Sequence, residues 1–197
     1  MKIKTIIFDI DGMVLIGKKI FGQRLAERLK VPDKTFLPFF DNEFQSCLIG
    51  KSDLKEEIIK YLKIWKWPES LDDLLKFWFD LEGTVDQRII KSARAFRSGG
   101  TKCYLSTNNE KYRVDHFRYF FKLDKEFDGL FASCNIGFKK PQFEFWNAIY
   151  NLLNSPDKTT VLVWDDDIKN VESARKFGFQ AELYKNFDDY SEKMNSL

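Results

Sequence analysis

Three apolar runs in this chain end abruptly in polar residues, and that repetition limits the architectures open to it. Ile3 to Phe8 runs into Asp9-Ile10-Asp11-Gly12, Lys102 to Ser106 into Thr107-Asn108, and Thr160 to Trp164 into Asp165-Asp166-Asp167. All are of strand length, and Gly129 to Ser133 and Gln180 to Leu183 add two more. Residues at helical spacing lie between them. Ile89, Ile90, Ala93 and Phe96 form a stripe stopping at Gly99-Gly100, Tyr112, Phe117, Phe120 and Phe121 form another, and Val171, Ala174 and Phe177 precede Gly178. Pro141 to Leu153 reads as a helix with proline in its first turn. Strands alternating with helices predict an α/β fold: a parallel sheet covered on both faces, with ligands outside the C-terminal ends of its strands.

The stretch from about 16 to 84 has a different texture. Leu15 to about Gly22 suits a loop, and Gln23 to Leu29 a short helix. Leu54, Ile58, Tyr61, Leu62 and Trp65 recur at helical spacing, as do Leu71, Leu74, Leu75 and Trp78, with Asp53 and Ser70 near the two helix starts. No strand is evident there. The expected organisation is an α/β core of residues 1–15 and 85–197, with an all-helical insert of residues 16–84 whose core holds Trp65, Trp67, Trp78 and Phe79.

Composition removes several function classes. With 32 Lys+Arg against 30 Asp+Glu and no concentrated basic block, the chain shows no nucleic-acid footprint. Cys47, Cys103 and Cys134 lack the paired spacing of a zinc or redox site and read as reduced thiols. No apolar run approaches the roughly 18 residues that span a bilayer, and Met1-Lys2-Ile3-Lys4 leads into a strand without a signal-peptide core. These features predict a soluble, cytoplasmic protein with no membrane partner.

The strand ends carry the chemistry. Asp9 and Asp11 lie on one side of an extended chain, and two close carboxylates repel unless a cation or shared proton intervenes. Asp9 and Asp165, ending separate strands of one sheet, could hold a hard cation such as Mg²⁺. Such a site suits phosphate-monoester hydrolysis, whose enzymatic enhancement reaches ~10²¹. One carboxylate can act as nucleophile through an aspartyl-phosphate, and its neighbour two residues on as acid and then base. Thr107, Asn108, Lys139 and Lys140 supply donors and positive charge for phosphoryl oxygens. Taken singly, these are ordinary features: a turn, a helix cap, a solvated lysine pair. Lys51, after Gly50 in a probable insert loop, is a candidate substrate contact; His116, among aromatic residues, reads as structural.

In order, Asp9-x-Asp11-Gly12, strand-Thr107-Asn108, Lys140-Pro141 and strand-Asp165-Asp166, with Asn170 and Ala174 in the following helix, resemble the haloacid dehalogenase (HAD) superfamily over essentially the whole chain. The resemblance implies a Rossmann-like parallel-sheet core with a small helical, type-1 cap inserted after the first strand. It implies Asp9 as nucleophile and Mg²⁺ ligand, and Asp11 as general acid/base that also ligates the metal through its backbone carbonyl. Thr107 would bind the phosphoryl group, Lys140 would steady nucleophile and phosphate, and Asp165, supported by Asp166, would complete the metal shell. The dehalogenase branch lacks the second acid of the first motif, so Asp11 points to phosphoryl chemistry: a Mg²⁺-dependent phosphatase of a small phosphorylated metabolite. A phosphomutase on the same scaffold and a catalytically idle HAD-like binding protein are the alternatives. The choices between Lys139 and Lys140, between Ser106 and Thr107, and among Asp165, Asp166 and Asp167 stay open at this level.

Overall fold

In the computed structural model, which describes residues 2–17, 21–80 and 83–195, five parallel strands form one sheet. They are β1 (Thr5–Asp9), β4 (Lys102–Thr107), β5 (Gly129–Ala132), β6 (Val161–Asp165) and β7 (Gln180–Leu183), in the order β5-β4-β1-β6-β7. The first strand is central, paired to β4 through Asp9↔Ser106 and to β6 through Phe8↔Trp164. Burial on both faces explains its unbroken apolar run. Ile6 and Phe8 join one hydrophobic core and Ile7 the other, following the two-residue period of a strand. The same alternation sends Val161 and Val163 to the face of Ile7, and Leu162 and Trp164 to the face of Phe8. Asp9 and Asp165 therefore continue the Ile7 face.

Helices α6 (Gln87–Ser98), α7 (Lys111–Tyr119) and α12 (Phe187–Asn195) cover the Phe8 face through Ile89, Ile90, Phe117 and Tyr190. Helices α10 (Phe143–Leu152) and α11 (Ile168–Phe177) cover the other through Phe145, Trp146, Val171 and Phe177. Short helices α8 (Leu123–Glu126) and α9 (Ser133–Ile136) flank β5. The strands lie within a residue or two of their predicted bounds. Helix α12 is a further element, its apolar contacts made by Phe187, Tyr190 and Met194.

Two expectations are corrected. Pro141 is not in the first turn of α10; it sits in a turn closed by Gln142 N to Lys139 O, and the helix begins at Phe143 after extended Gln142. Gln142 Oε1 accepts from Lys139 N and Pro141 O from Ser173, which holds the turn out of the helix. Leu15–Ile16 is not loop but β2, antiparallel to β3 (Thr84–Val85), a ribbon of two residues a side that is too short to show any period. Of the predicted loop, residues 18–20 lie outside the described residues.

The ribbon joins the two ends of a helical segment: α1 (Phe21–Leu29), α2 (Leu37–Asp41), α3 (Glu43–Leu48), α4 (Leu54–Leu62) and α5 (Leu71–Phe79). Its own core includes Phe36, Phe39, Ile58, Trp65, Leu74 and Trp78, with Phe21 stacked on Trp78 at 4.2 Å between ring centres. Ser70 and Asp73 form a reciprocal capping box on α5, while Arg24 Nη2 donates to the Phe77 and Trp78 carbonyls near its other end. Asp53 caps α4 by accepting from Lys55 N and Glu56 N, and it also accepts from Tyr112 Oη at 2.9 Å and pairs with Lys111.

Asp53 thus ties helix α4 to α7. Burial opposes its charge, but the hydrogen bonds from Lys111, Tyr112 and the α4 amides win and hold its carboxyl down at about 2. Asp53→Ala should lower unfolding stability by about 1–2 kcal/mol in urea titrations near neutral pH, mainly through the lost cap. The folded-state pKa lies below the unfolded value, so this contribution is present above about pH 4 and fades toward pH 2. The gap between wild type and variant should close across that window.

Candidate active site

Loops at the C-terminal ends of β1, β4 and β6 bring the acidic residues together. Lys140 Nζ donates to Asp9 Oδ1 at 2.5 Å and to Asp165 Oδ2 at 2.7 Å, and all three residues are almost wholly buried. Asp165 Oδ1 accepts from Asp167 N and from Asn170 Nδ2, both at 2.9 Å, so this carboxylate is bonded on both oxygens. One carboxylate oxygen from each of Asp9, Asp165 and Asp166 lies within 4.8 Å of the others, a hard-oxygen set suited to Mg²⁺. Asp167 lies apart from that group, capping α11 by accepting from Lys169 N.

A close approach by Gly12 shapes this group. Its φ is +88°, and a Cβ there would fall 2.0 Å from Asp166 Oδ2. The turn is fixed by Gly12 N to Leu15 O at 2.9 Å and Leu15 N to Ile10 O at 2.8 Å. Only glycine offers both the left-handed backbone and the space.

The electrostatics follow from burial. Desolvation pushes the Asp9 carboxyl well above the usual range, against the pull of Lys140 and with the help of Asp165 and Asp11. Desolvation and then Asp165 also raise Asp166. Burial disfavours the charged form of Lys140, but Asp9 and Asp165 more than offset it and hold its pKa above the usual lysine value. Three carboxylates share one ammonium, which leaves the group short of positive charge.

The Asp11 side chain points elsewhere. It lies outside the three-carboxylate group, bonded through Oδ1 to Arg113 Nη2 at 2.5 Å and through Oδ2 to Asn109 Nδ2 at 2.8 Å. Asn109 also donates to Thr107 Oγ1 at 2.5 Å and accepts from Arg113 Nη1 at 2.9 Å. Thr107 is thereby linked to Asp11, whereas Ser106 Oγ, beside Asp9 in the sheet, is buried without a hydrogen-bond partner. Asn108 Oδ1 accepts from Lys140 N at 2.9 Å and so fixes the lysine loop. Lys139 turns away, with Nζ on Gln45 Oε1 at 2.8 Å.

Among the proposed site residues, Lys51 is not brought into the acidic group. It lines a different cavity, of about 370 Å³, together with Ser52, Asp53, Glu110 and Lys111. His116 stacks on Phe120 at 4.5 Å, and burial lowers its pKa, in keeping with a structural role. Asn109 and Arg113 are additions to the set read from the sequence. Their signal is a four-residue spacing across the start of α7, capped by Glu110 through Tyr112 N and Arg113 N.

A family model for haloacid dehalogenase-like hydrolases matches residues 3–178. Drimenol cyclase drtB of Aspergillus calidoustus is 30% identical over 71 residues, which is 36% of this chain and 13% of that protein. Sesquiterpene phosphatase astK of Aspergillus oryzae is 29% identical over 96 residues, 47% of each chain, so the matches span less than half the length of either relative. Among solved structures, a HAD-family enzyme from Bacteroides thetaiotaomicron superposes with a TM-score of 0.84 at 17% identity, over 98% of this chain and 99% of that one. The same enzyme in complex with magnesium and inorganic phosphate superposes at 0.73, with 18% identity and coverage of 93% and 94%. The family match runs from the opening strand through every residue of the acidic group and the network around Asp11, and the chain belongs to the haloacid dehalogenase-like hydrolases.

Proposed function

We propose that this hydrolase is a Mg²⁺-dependent phosphatase of a small phosphate monoester. The observation that carries the reading is buried Lys140 bridging buried Asp9 and Asp165, with the exposed Asp166 carboxylate beside them, so that carboxylates outnumber the ammonium. A divalent cation held by Asp9, Asp165 and Asp166, with the Asp11 backbone carbonyl as a further ligand, would balance it and polarise a phosphoryl oxygen. The hard-oxygen donor set fits, and so does the space Gly12 leaves for Asp166. The sesquiterpene phosphatase relative and the magnesium–phosphate complex of the Bacteroides enzyme support the same chemistry.

In this scheme Asp9 attacks phosphorus as its carboxylate. The bond from phosphorus to the ester oxygen breaks, and Asp11 gives that oxygen a proton. Water then attacks the aspartyl-phosphate while Asp11 takes a proton back, freeing inorganic phosphate and Asp9. Lys140 holds Asp9 in place and offsets charge on the phosphoryl oxygens, and Thr107 and Asn108 line the phosphate position. Arg113 and Asn109 hold the Asp11 carboxylate at the edge of the site. Residues 16–84 serve as a cap over a core of 1–15 and 85–197, limiting water and selecting the leaving group. Among the described residues no helix is long and apolar enough to cross a membrane. The free state of Cys47, Cys103 and Cys134 supports a reducing compartment such as the cytoplasm.

Phosphate release from an aryl phosphate should stop on chelation with EDTA and return with Mg²⁺. Asp9→Asn should lower turnover roughly 10³-fold or more; a variant that keeps wild-type turnover overturns the assignment of Asp9. Gly12→Ala should raise the Mg²⁺ concentration needed for half activation by roughly 10-fold or more, because the new methyl displaces Asp166. A metal titration of the purified variant reads this directly.

A further inference from the structure

We infer that the helical segment carries a binding site for the hydrocarbon tail of the substrate, so that the ester cleaved is an alkyl or alkenyl phosphate rather than a sugar phosphate or nucleotide. The inference rests on the phosphatase reading above and adds the class of leaving group. Its basis is a cavity of about 420 Å³ walled by Phe21, Phe36, Phe40, Phe44 and Trp78. That volume falls within the range of small-molecule sites.

The position of the cavity connects it to the chemistry. Its lining also includes Gln23, Asp33 and Leu37, all exposed, and Arg113, which is buried. That guanidinium is the one whose Nη2 bonds Asp11 and whose Nη1 bonds Asn109. Thus the lining of an aromatic cavity includes a cation that also borders the candidate acid/base. A molecule with an anionic head at Asp9 and an apolar tail would meet both kinds of surface, the Arg113 charge beside Asp11 and the aromatic rings. The rings are held in place by one another: Phe40 lies 5.7 Å and Phe44 5.4 Å from Trp78, centre to centre, and Phe21 stacks on its face. A preorganised aromatic wall needs little ordering on binding and offers few partners to the hydroxyl groups of a sugar.

The test separates tail recognition from turnover. Calorimetry on full-length Asp9→Asn protein with Mg²⁺ compares ethyl phosphate with octyl phosphate, below the concentration at which the latter forms micelles. Octyl phosphate should bind roughly 30-fold tighter or more, since six added methylenes leave water. Leu37→Glu places a charge on an exposed part of the lining without disturbing the buried core, and should cut the octyl-to-ethyl affinity ratio roughly 10-fold. Equal binding of the two esters, or a ratio unchanged by Leu37→Glu, overturns the inference. Failure of the wild-type protein to release phosphate from any ester would instead sink the phosphatase reading while leaving the tail preference standing on the binding ratio.

Discussion

The bond from Lys140 to Asp9 and Asp165 is the interaction on which the site is built, because it draws together residues 131 and 25 positions apart in sequence at the edge of one sheet. As a source of stability a buried ion pair is poor: the cost of removing charges from water is of the same order as their attraction, and well-packed apolar side chains often do as well. Its effect here is electrostatic. It fixes the orientation of Asp9 and favours the charged ammonium against the cost of burial. Around it, Asp167 N and Asn170 saturate Asp165, and the Asn108 side chain pins the backbone of the lysine. Neighbouring loops thus supply the polar partners that a carboxylate and an ammonium require when they leave water.

Strand periodicity explains why this placement is available. Ile7 and Asp9 share a face of β1, as Val163 and Asp165 share a face of β6, and parallel pairing in register sets Phe8 beside Trp164. A one-residue slip of β6 would turn Asp165 into the opposite core and bring Trp164 to the site face. Because both faces are packed with large side chains, Trp164 and Tyr190 on one and Trp146 and Phe177 on the other, such a slip would empty one core and crowd the other. The packing of the sheet thus holds the register that the chemistry needs.

Much of this was legible in the sequence for the same reason. Strands buried on both faces leave long apolar runs, and their sudden end in Asp9, Thr107 and Asp165 marks the edge where ligands bind. Asp53 and Ser70 were readable as caps because their short acceptors precede amphipathic helices. What escaped reading depends on distance in sequence. Nothing local distinguishes Lys139 from Lys140; the selection comes from Gln45 on one side and Asp9 on the other. Nor does the sequence announce Arg113 or Asn109, whose partner Asp11 lies about a hundred residues away and whose own helix would accept an arginine there as ordinary solvated surface. The proline of Lys140-Pro141 misled for a related reason: proline suits a helix start, but tertiary bonds to Gln142 and Ser173 placed it in a turn instead.

The way the helical segment is attached matters for any tail it holds. Both of its ends lead from the β2–β3 ribbon, which begins a few residues after Asp11 and Gly12 and is bridged to Asp11 through Leu15. Contacts across to the core include polar ones, Asp53 with Tyr112 and Lys111, Ser133 Oγ on Leu48 O at 2.5 Å and Lys139 on Gln45, and apolar ones, Phe79 against His116 and Tyr112 against the segment's own core. The one ion pair among them, Asp53 with Lys111, is partly exposed and worth little by itself, while the aromatic core within the segment is extensive. These contacts fall on α7, α9 and the lysine loop, which follow Asn109, end β5 and carry Lys140 respectively. Whatever shifts the segment thus acts on the same elements that hold the Asp11 network and the ammonium, and an aromatic cavity bounded by Arg113 is mechanically joined to the group that would protonate the departing tail.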